Sequence, residues 1–284
     1  MSTLSAGRCV LVTGATSGIG YLAAEALARA GARVLLHGRD AGRVRQCAEQ
    51  LSRVGVVSGT FVADLASLGE AAELAERVSR EVPELDVLVN NAAVGFGADR
   101  RQREVGRDGY ELRFAVNYLA PFLLTERLLA RGLPRRAVLN VASIGQEALD
   151  FSDLMNERDY EGTRAYRRSK LALIMWSFDV AARHRDRVVH ALHPGTLLDT
   201  NMVRLAGVPP RGPASRGAEV ILGVLERALQ GGESGLYFDE LSPTRAKPPA
   251  YDLGERSRLR AATLELLAPF QPGASARLGA TPAG

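Results

Sequence analysis

Tyr166 and Lys170 stand four residues apart in Tyr166-Arg167-Arg168-Ser169-Lys170. On a helix that spacing puts both side chains on one face, with β-carbons about 5–6 Å apart. A free phenol has a pKa of about 10 and exchanges protons poorly at neutral pH. Lowering it by three units requires roughly 4 kcal/mol of preference for the phenolate. An ammonium group about 4 Å away at a protein-like dielectric supplies close to that, less the cost of desolvating the pair. Ser143 follows the apolar run 137–141, and a hydroxyl there can hold a carbonyl oxygen while a neighbouring phenol protonates it. On a solvated helix the same Tyr-x-x-x-Lys pair is only surface. What surrounds it decides. Lysine occurs only at positions 170 and 247, every other basic residue being Arg, which singles out Lys170.

The elements that would position these groups begin at Val10-Leu11-Val12-Thr13-Gly14-Ala15-Thr16-Ser17-Gly18-Ile19-Gly20. An apolar strand-like run ends in a turn with three glycines, and an Ala- and Leu-rich helix pattern starts at once. Glycines let such a turn close tightly and approach a phosphate, while the first helix amides point at the negative charge. Strand before and helix after make this a dinucleotide site rather than an empty turn. Gly14, Thr16, Ser17, Gly18, Ile19 and Gly20 are the residues that would hold it.

The helix from Tyr21 stops at Gly31, and Val34-Leu35-Leu36 is a second strand. His37 stands at its end, where an acid would accept from the ribose hydroxyls of NAD. Arg39, two residues on, suits the extra phosphate of NADP through a bidentate contact. Asp40 precedes Ala41-Gly42-Arg43-Val44 and reads as a helix N-cap. The run 54–62 is a third strand, ending in Ala63-Asp64-Leu65. Asp64 either meets the adenine amino group or caps the following helix, 67–82. Residues 85–89 form the fourth strand, with Asn90-Asn91-Ala92-Ala93 at its carboxyl end, where ligands of such sheets bind. Two amides there can bridge backbone loops and flank a cofactor. The Arg-rich stretch 95–109 is a solvated loop or helix entry, with binding of an acidic substrate as the other reading. A long helix, 110–131, follows and carries Asn117, a buried amide that needs partners. Pro121 predicts a kink that frees backbone groups beside it.

Beyond Ser143 the connection 146–163 carries Phe151, Leu154, Met155 and Tyr160. The strand 188–192 ends in His193-Pro194-Gly195, and 196–213 includes Leu197, Leu198, Met202 and Leu205. Phe151, Leu154, Leu198, Met202 and Leu205 are either an apolar substrate wall or ordinary loop packing. A helix at 218–229, a strand at 236–238 and a helix at 253–267 complete the pattern. The segment 271–284 has the small-residue composition of a disordered tail.

Bulk properties agree with one α/β domain. The chain has 284 residues, 46% of them apolar, and a formal charge of +4. Arginines alternate with acids, without the basic stripe that nucleic acid requires. The two cysteines, Cys9 and Cys47, make neither a disulfide framework nor a metal set, as expected in a reducing compartment. No apolar run spans a membrane, and residues 1–7 are too short and polar for a signal peptide. A soluble cytoplasmic protein is expected, with neither metal, membrane nor nucleic acid as partner.

Taken together these motifs resemble the short-chain dehydrogenases/reductases. The resemblance rests on Thr13-Gly14-x-x-x-Gly18-Ile19-Gly20, Asp64, Asn90-Asn91-Ala92, Asn117, Ser143, Tyr166-x-x-x-Lys170 and Pro194-Gly195. It implies a Rossmann-type, doubly wound, seven-stranded parallel sheet with helices on both faces. One domain, 1–270, would carry substrate loops at 144–163 and 195–214. Tyr166 would be the acid/base, Ser143 would orient substrate, and Lys170 would bind the nicotinamide ribose and lower the phenol pKa. Asn117 would anchor a water linked to Lys170. Cofactor contacts would extend to Leu65, Asn91, Pro194, Gly195, Thr196 and Leu197. Asp108-Gly109-Tyr110-Glu111-Leu112-Arg113-Phe114-Ala115-Val116-Asn117, His193-Pro194-Gly195-Thr196 and the long Ser143-to-Tyr166 spacing look like the retinol dehydrogenase and WW-domain oxidoreductase branch. Ala93 departs from the glycine usual in that family.

The implied activity is NADPH-dependent reduction of a ketone or aldehyde, reversible as alcohol oxidation, on a bulky, largely apolar small molecule, for example in secondary metabolism. A non-redox NADP-assisted isomerisation, epimerisation or cyclisation uses the same residues. A nucleotide-dependent sensor would need only the glycine turn. The family commonly forms homodimers or homotetramers through its long helices.

Overall fold

The computed structural model describes residues 6–271; all but the first residue of the expected tail, 271–284, lies outside them. Cys9–Val12 (β1) is wholly buried and pairs in parallel with Arg33–Gly38 (β2) on one side and Val87–Asn90 (β4) on the other. Val56–Val62 (β3) lies outside β2, while Ala137–Val141 (β5), Val188–His193 (β6) and Leu236–Asp239 (β7) extend the sheet beyond β4. The chain therefore winds outward from β1 to β3 and resumes at β4. Between the carboxyl ends of β1 and β4 is the reversal point at which such sheets bind ligands.

The strand count differs from seven. Ser242–Thr244 (β8) adds an antiparallel edge to β7, through a hairpin in which Asp239 faces Ser242 and Glu240 sits at φ +54°. The turn is Glu240-Leu241, with none of the Gly or Asn that usually signals a two-residue hairpin. Pro243 suits a strand with one unpaired edge.

Helices Gly18–Arg29 (α1), Ala41–Leu51 (α2) and Ala214–Gln230 (α8) cover one face of the sheet. The other face carries Leu68–Glu81 (α3), Ala120–Leu129 (α5), Gly162–Arg183 (α6) and Leu253–Leu266 (α9). The helix expected at 110–131 is interrupted. Leu112–Phe114 (α4) passes into a π turn, Ala115–Leu119, before α5. Pro121 has no N–H for the carbonyl of Asn117, four residues back, so the ladder bulges there. A short helix, Asn201–Leu205 (α7), interrupts the loop after β6.

The C-terminal helix lies across the outer side of the long helices. Thr263 meets the buried Tyr118 hydroxyl at 2.7 Å, Tyr110 donates to Leu266 O at 2.7 Å, and Arg256 pairs with Asp179 at 2.9 Å. Leu259 and Leu267 are buried in the same core as Phe122 and Trp176.

Candidate active site

The glycine turn is braced from behind. Thr13 Oγ1 donates to Val89 O and accepts from the amides of Asn91 and Ala92, at 3.3, 3.0 and 3.1 Å. The Asn91 side chain donates to Thr13 O at 2.9 Å and Gly14 O at 3.3 Å. Its amide is thus spent on holding the turn to β4. Gly14 and Gly18 have φ of +65° and +53°. A Cβ at Gly14 would come within 2.8 Å of Ala92 Cα, and one at Gly20 would strike the Asn91 amide and Gly14 O. Two glycines permit the turn and the third permits the contact.

His37, which replaces the expected acid, is 2% exposed. Its Nδ1 accepts from Gly14 N at 3.3 Å, so Nε2 carries the proton donated to Ala63 O at 3.1 Å. Burial pushes its pKa down to about 4. It is a neutral strut joining the ends of β1, β2 and β3.

What this scaffold leaves open is the N-terminus of α1. Asp40, Ser67, Glu161 and Asp252 cap α2, α3, α6 and α9 with their side chains, whereas Ser17 makes no cap bond and the first turn of α1 holds no acid. Free amides, two adjacent hydroxyls (Thr16 and Ser17) and a cradle without room for a Cβ suit a pyrophosphate. Arg39 is exposed and bonds to no described residue. Arg43, which the sequence pattern did not mark, lines with Thr16, Ser17 and Cys47 a cavity of about 240 Å³ next to the turn. Gly38 closes this corner, since a Cβ would lie 2.5 Å from Thr16 Cγ2.

Asp64 is not the cap of α3; Ser67 is. Its Oδ1 accepts from Ala66 N at 3.0 Å and its Oδ2 faces Arg107 at 3.9 Å. Leu65 is buried in the core.

Tyr166 and Lys170 lie on the inner face of α6, 9% and 2% exposed. Lys170 Nζ is 5.8 Å from the Tyr166 ring centre and donates to Val141 O at 2.7 Å. Burial pushes the phenol pKa up, and the Ser143 hydroxyl beside it pulls it back. Burial pushes Lys170 down to about 7. Burial therefore disfavours the charged form of both groups, and the Ser143 hydroxyl offsets that at the phenol. Ser143 Oγ accepts from Gly145 N at 3.1 Å, while its carbonyl accepts from Tyr237 at 3.0 Å.

Asn117 ties this catalytic face to the loop after β4. Its side chain accepts from Val94 N at 2.8 Å and donates to Val94 O and Ser169 Oγ, both at 3.0 Å. Ser169 in turn donates to Tyr166 O at 2.7 Å. After β6, Pro194 is buried and Gly195 has φ +125°. Thr196 meets His193 Nε2 at 3.0 Å, and Leu197 is left-handed at φ +51°. His193 had no assigned role in the sequence beyond its family-like stretch; its other ring nitrogen is buried without a partner among the described residues.

The apolar loop residues divide. Phe151 and Leu154 pack on the core, with Phe151 also under the Arg258 guanidinium at 4.4 Å. Leu198 is buried against Gly195 and Gly217. Met202 closes on Gly95, while Leu205 and Ile144 are exposed. Most of that set is loop packing. No helix among the described residues is long and apolar enough to cross a membrane.

The sequence profile of short chain dehydrogenases matches residues 8–207. A Streptomyces sp. (strain C5) protein named for daunorubicin C-13 ketoreductase activity is 34% identical over 262 residues, covering 89% of this chain and 90% of that one. Human retinol dehydrogenase 14 is 36% identical over 224 residues, 72% of this chain and 65% of its own length, so the match spans just under two thirds of that relative. Among solved structures, a short chain dehydrogenase from Shigella flexneri complexed with NADP superposes with a TM-score of 0.65 at 27% identity, covering 85% of this chain and all of that one.

Proposed function

The chain belongs to the short-chain dehydrogenase family, related to its retinol dehydrogenase branch, and from that premise we propose that it reduces a ketone or aldehyde with NADPH, reversibly. The observation that carries the reading is the burial of Tyr166 and Lys170 one turn apart on the inner face of α6, with Lys170 bonded to Val141 at the end of β5, two residues before Ser143.

Gly14, Thr16, Ser17, Gly18, Ile19 and Gly20 would hold the pyrophosphate, and Arg39 the 2′-phosphate. Asp64 and Leu65 would lie toward the adenine, and Tyr166, Lys170 and residues 194–197 toward the nicotinamide, with Asn91 behind the turn. When bound, the reduced nicotinamide supplies hydride to the carbonyl carbon. Ser143 donates to the carbonyl oxygen, fixing it beside the phenol and favouring negative charge there. Tyr166 delivers the proton to that oxygen; in the reverse direction it removes it. Lys170 in its charged form favours the phenolate left behind. Asn117, through Ser169, keeps the helical turn that carries both groups in place.

A small-molecule ketone is supported by the ketoreductase name of the Streptomyces relative, and an apolar one by the exposed Ile144 and Leu205 in the two loops. NADPH is supported by the absence of an acid at the end of β2, by Arg39 and Arg43, and by the NADP-bound neighbour. The test follows nicotinamide absorbance with purified protein, NADPH and a panel of carbonyl compounds. Sustained consumption is expected, and Tyr166→Phe should abolish it while NADPH still binds. Turnover that survives in Tyr166→Phe would place the proton source elsewhere.

A further inference from the structure

The segment after β4 is fastened to the α4–π helix by two side chains four residues apart. Asn117 pairs with both backbone groups of Val94, and Arg113 Nε donates to Gly95 O at 2.9 Å. Arg113 is 1% exposed, with Nη2 on Glu104 at 2.6 Å and Nη1 on Glu111 at 3.4 Å. Glu111 is fully buried; it also accepts from Phe114 N at 2.8 Å and from the Tyr160 hydroxyl at 3.0 Å. Gly97, at φ +86°, lies so close to the guanidinium that a Cβ would collide with Nη2. The loop is moulded on this cation.

A buried guanidinium costs several kcal/mol in desolvation, so it persists where its N–H groups are paired and something depends on it. What it fixes is Phe96, the next residue. The Phe96 ring stands edge-on to Tyr166, centres 5.0 Å apart at 84°. From the other side, Gly162 N donates to Arg100 O at 2.7 Å, and a Cβ at Gly162 would strike Phe96 O. Tyr160, two residues earlier, brings the 146–163 connection onto the same carboxylate.

We propose that Phe96 is the specificity-determining wall beside the reacting carbonyl, selecting an aromatic or similarly flat apolar flank, and that the Glu104–Arg113–Glu111–Tyr160 cluster is its positioning device. This rests on Tyr166 being the proton donor. With the Arg100 guanidinium 5.6 Å from the ring centre on one side, the rest of the ring beside that phenol is the apolar surface a carbonyl's substituent would meet when its oxygen reaches the hydroxyl. Arg113 acts through Phe96 and not on the substrate.

The test compares acetophenone with acetone, on the holoenzyme, in two readouts. With NADPH, kcat/KM is measured for each ketone; with NADP+, ketone binding is followed by saturation-transfer NMR, which needs no turnover. Phe96→Ala should lower kcat/KM for acetophenone by about tenfold or more while acetone changes less than about twofold. Its acetophenone saturation signal should fall in parallel. Arg113→Met strands the Glu111 carboxylate and is prone to misfolding. Glu104→Gln and Tyr160→Phe therefore carry the second arm. Each should erode the acetophenone-to-acetone ratio by about threefold with NADPH affinity unchanged. Equal losses for both ketones in Phe96→Ala, no preference for acetophenone in the wild type, or an unaltered ratio in both cluster variants would overturn the proposal. If Tyr166→Phe keeps turnover while the Phe96→Ala ratio still collapses, the proton donor was misassigned and the wall was not.

Discussion

Lys170 is the group whose charge burial leaves most finely balanced. Its Nζ has Val141 O at 2.7 Å and no carboxylate partner among the described residues, and burial brings its pKa to about 7. At pH 8 about nine tenths of the side chain is then neutral before a ligand arrives. Negative charge and hydroxyl groups entering the cleft favour the ammonium, so NADPH binding should draw in a proton. The expected uptake at pH 8 approaches about 0.9 proton per NADPH, if the bound form is fully charged. Because the bound state holds the extra proton, affinity should weaken as pH rises above about 7, by up to about tenfold per unit. Lys170→Met, unbranched and of similar length, should bind without this uptake and without this pH slope. Isothermal titration calorimetry at pH 8 in two buffers of different ionisation enthalpy reads the proton count directly. His37 and His190 sit at about 4 and Cys9 is held at about 11, and the comparison with Lys170→Met separates the lysine from His184 and His193, which burial lowers. Equal uptake in wild type and Lys170→Met, or none in the wild type, would refute the idea that the ligand charges this lysine. The same shift has a signature without ligand. The unfolded chain binds more protons between about pH 7 and the ordinary lysine value, so the protein assayed without nucleotide should gain stability as pH rises through that window.

Arg39→Ala should weaken NADPH by about tenfold or more and leave NADH little changed, because one charge-assisted bidentate contact to a phosphate is lost. Fluorescence titration with both nucleotides checks it, and equal losses would remove Arg39 as the phosphate reader. With α9 lying across α5 and α6, the chain should not pair through its long helices as the family resemblance implied. Cross-links between copies should avoid α5 and α6, and a dimer whose cross-links join α5 or α6 of two copies would contradict this.

Sequence alone was enough for everything that depends on local chemistry. The glycine turn, the N-cap at Asp40, the missing acid at the end of β2 and the Tyr166–Lys170 spacing are properties of neighbouring residues. Their backbone constraints hold wherever a strand runs into a helix. The break around Asn117 was legible too, through Pro121, although not as a π turn. Tertiary structure decided what each polar group is for. Asp64 had two uses, and only the position of Ser67 removed one. Asn91 turned inward to brace the turn, since Gly20 leaves room for its amide. Of the apolar loop residues, Phe151 and Leu154 went to the core, Leu198 and Met202 packed on glycines of other segments, and Leu205 stayed exposed. Phe96 carried no signal and Arg113 only its place in a family-like stretch, because an edge-on contact with Tyr166 and a buried cation between Glu104 and Glu111 exist only after the 95–109 stretch folds back on its helix. Hydrogen-bond capacity is fixed by residue type; which partner fills it is settled by the elements that arrive from elsewhere in the chain.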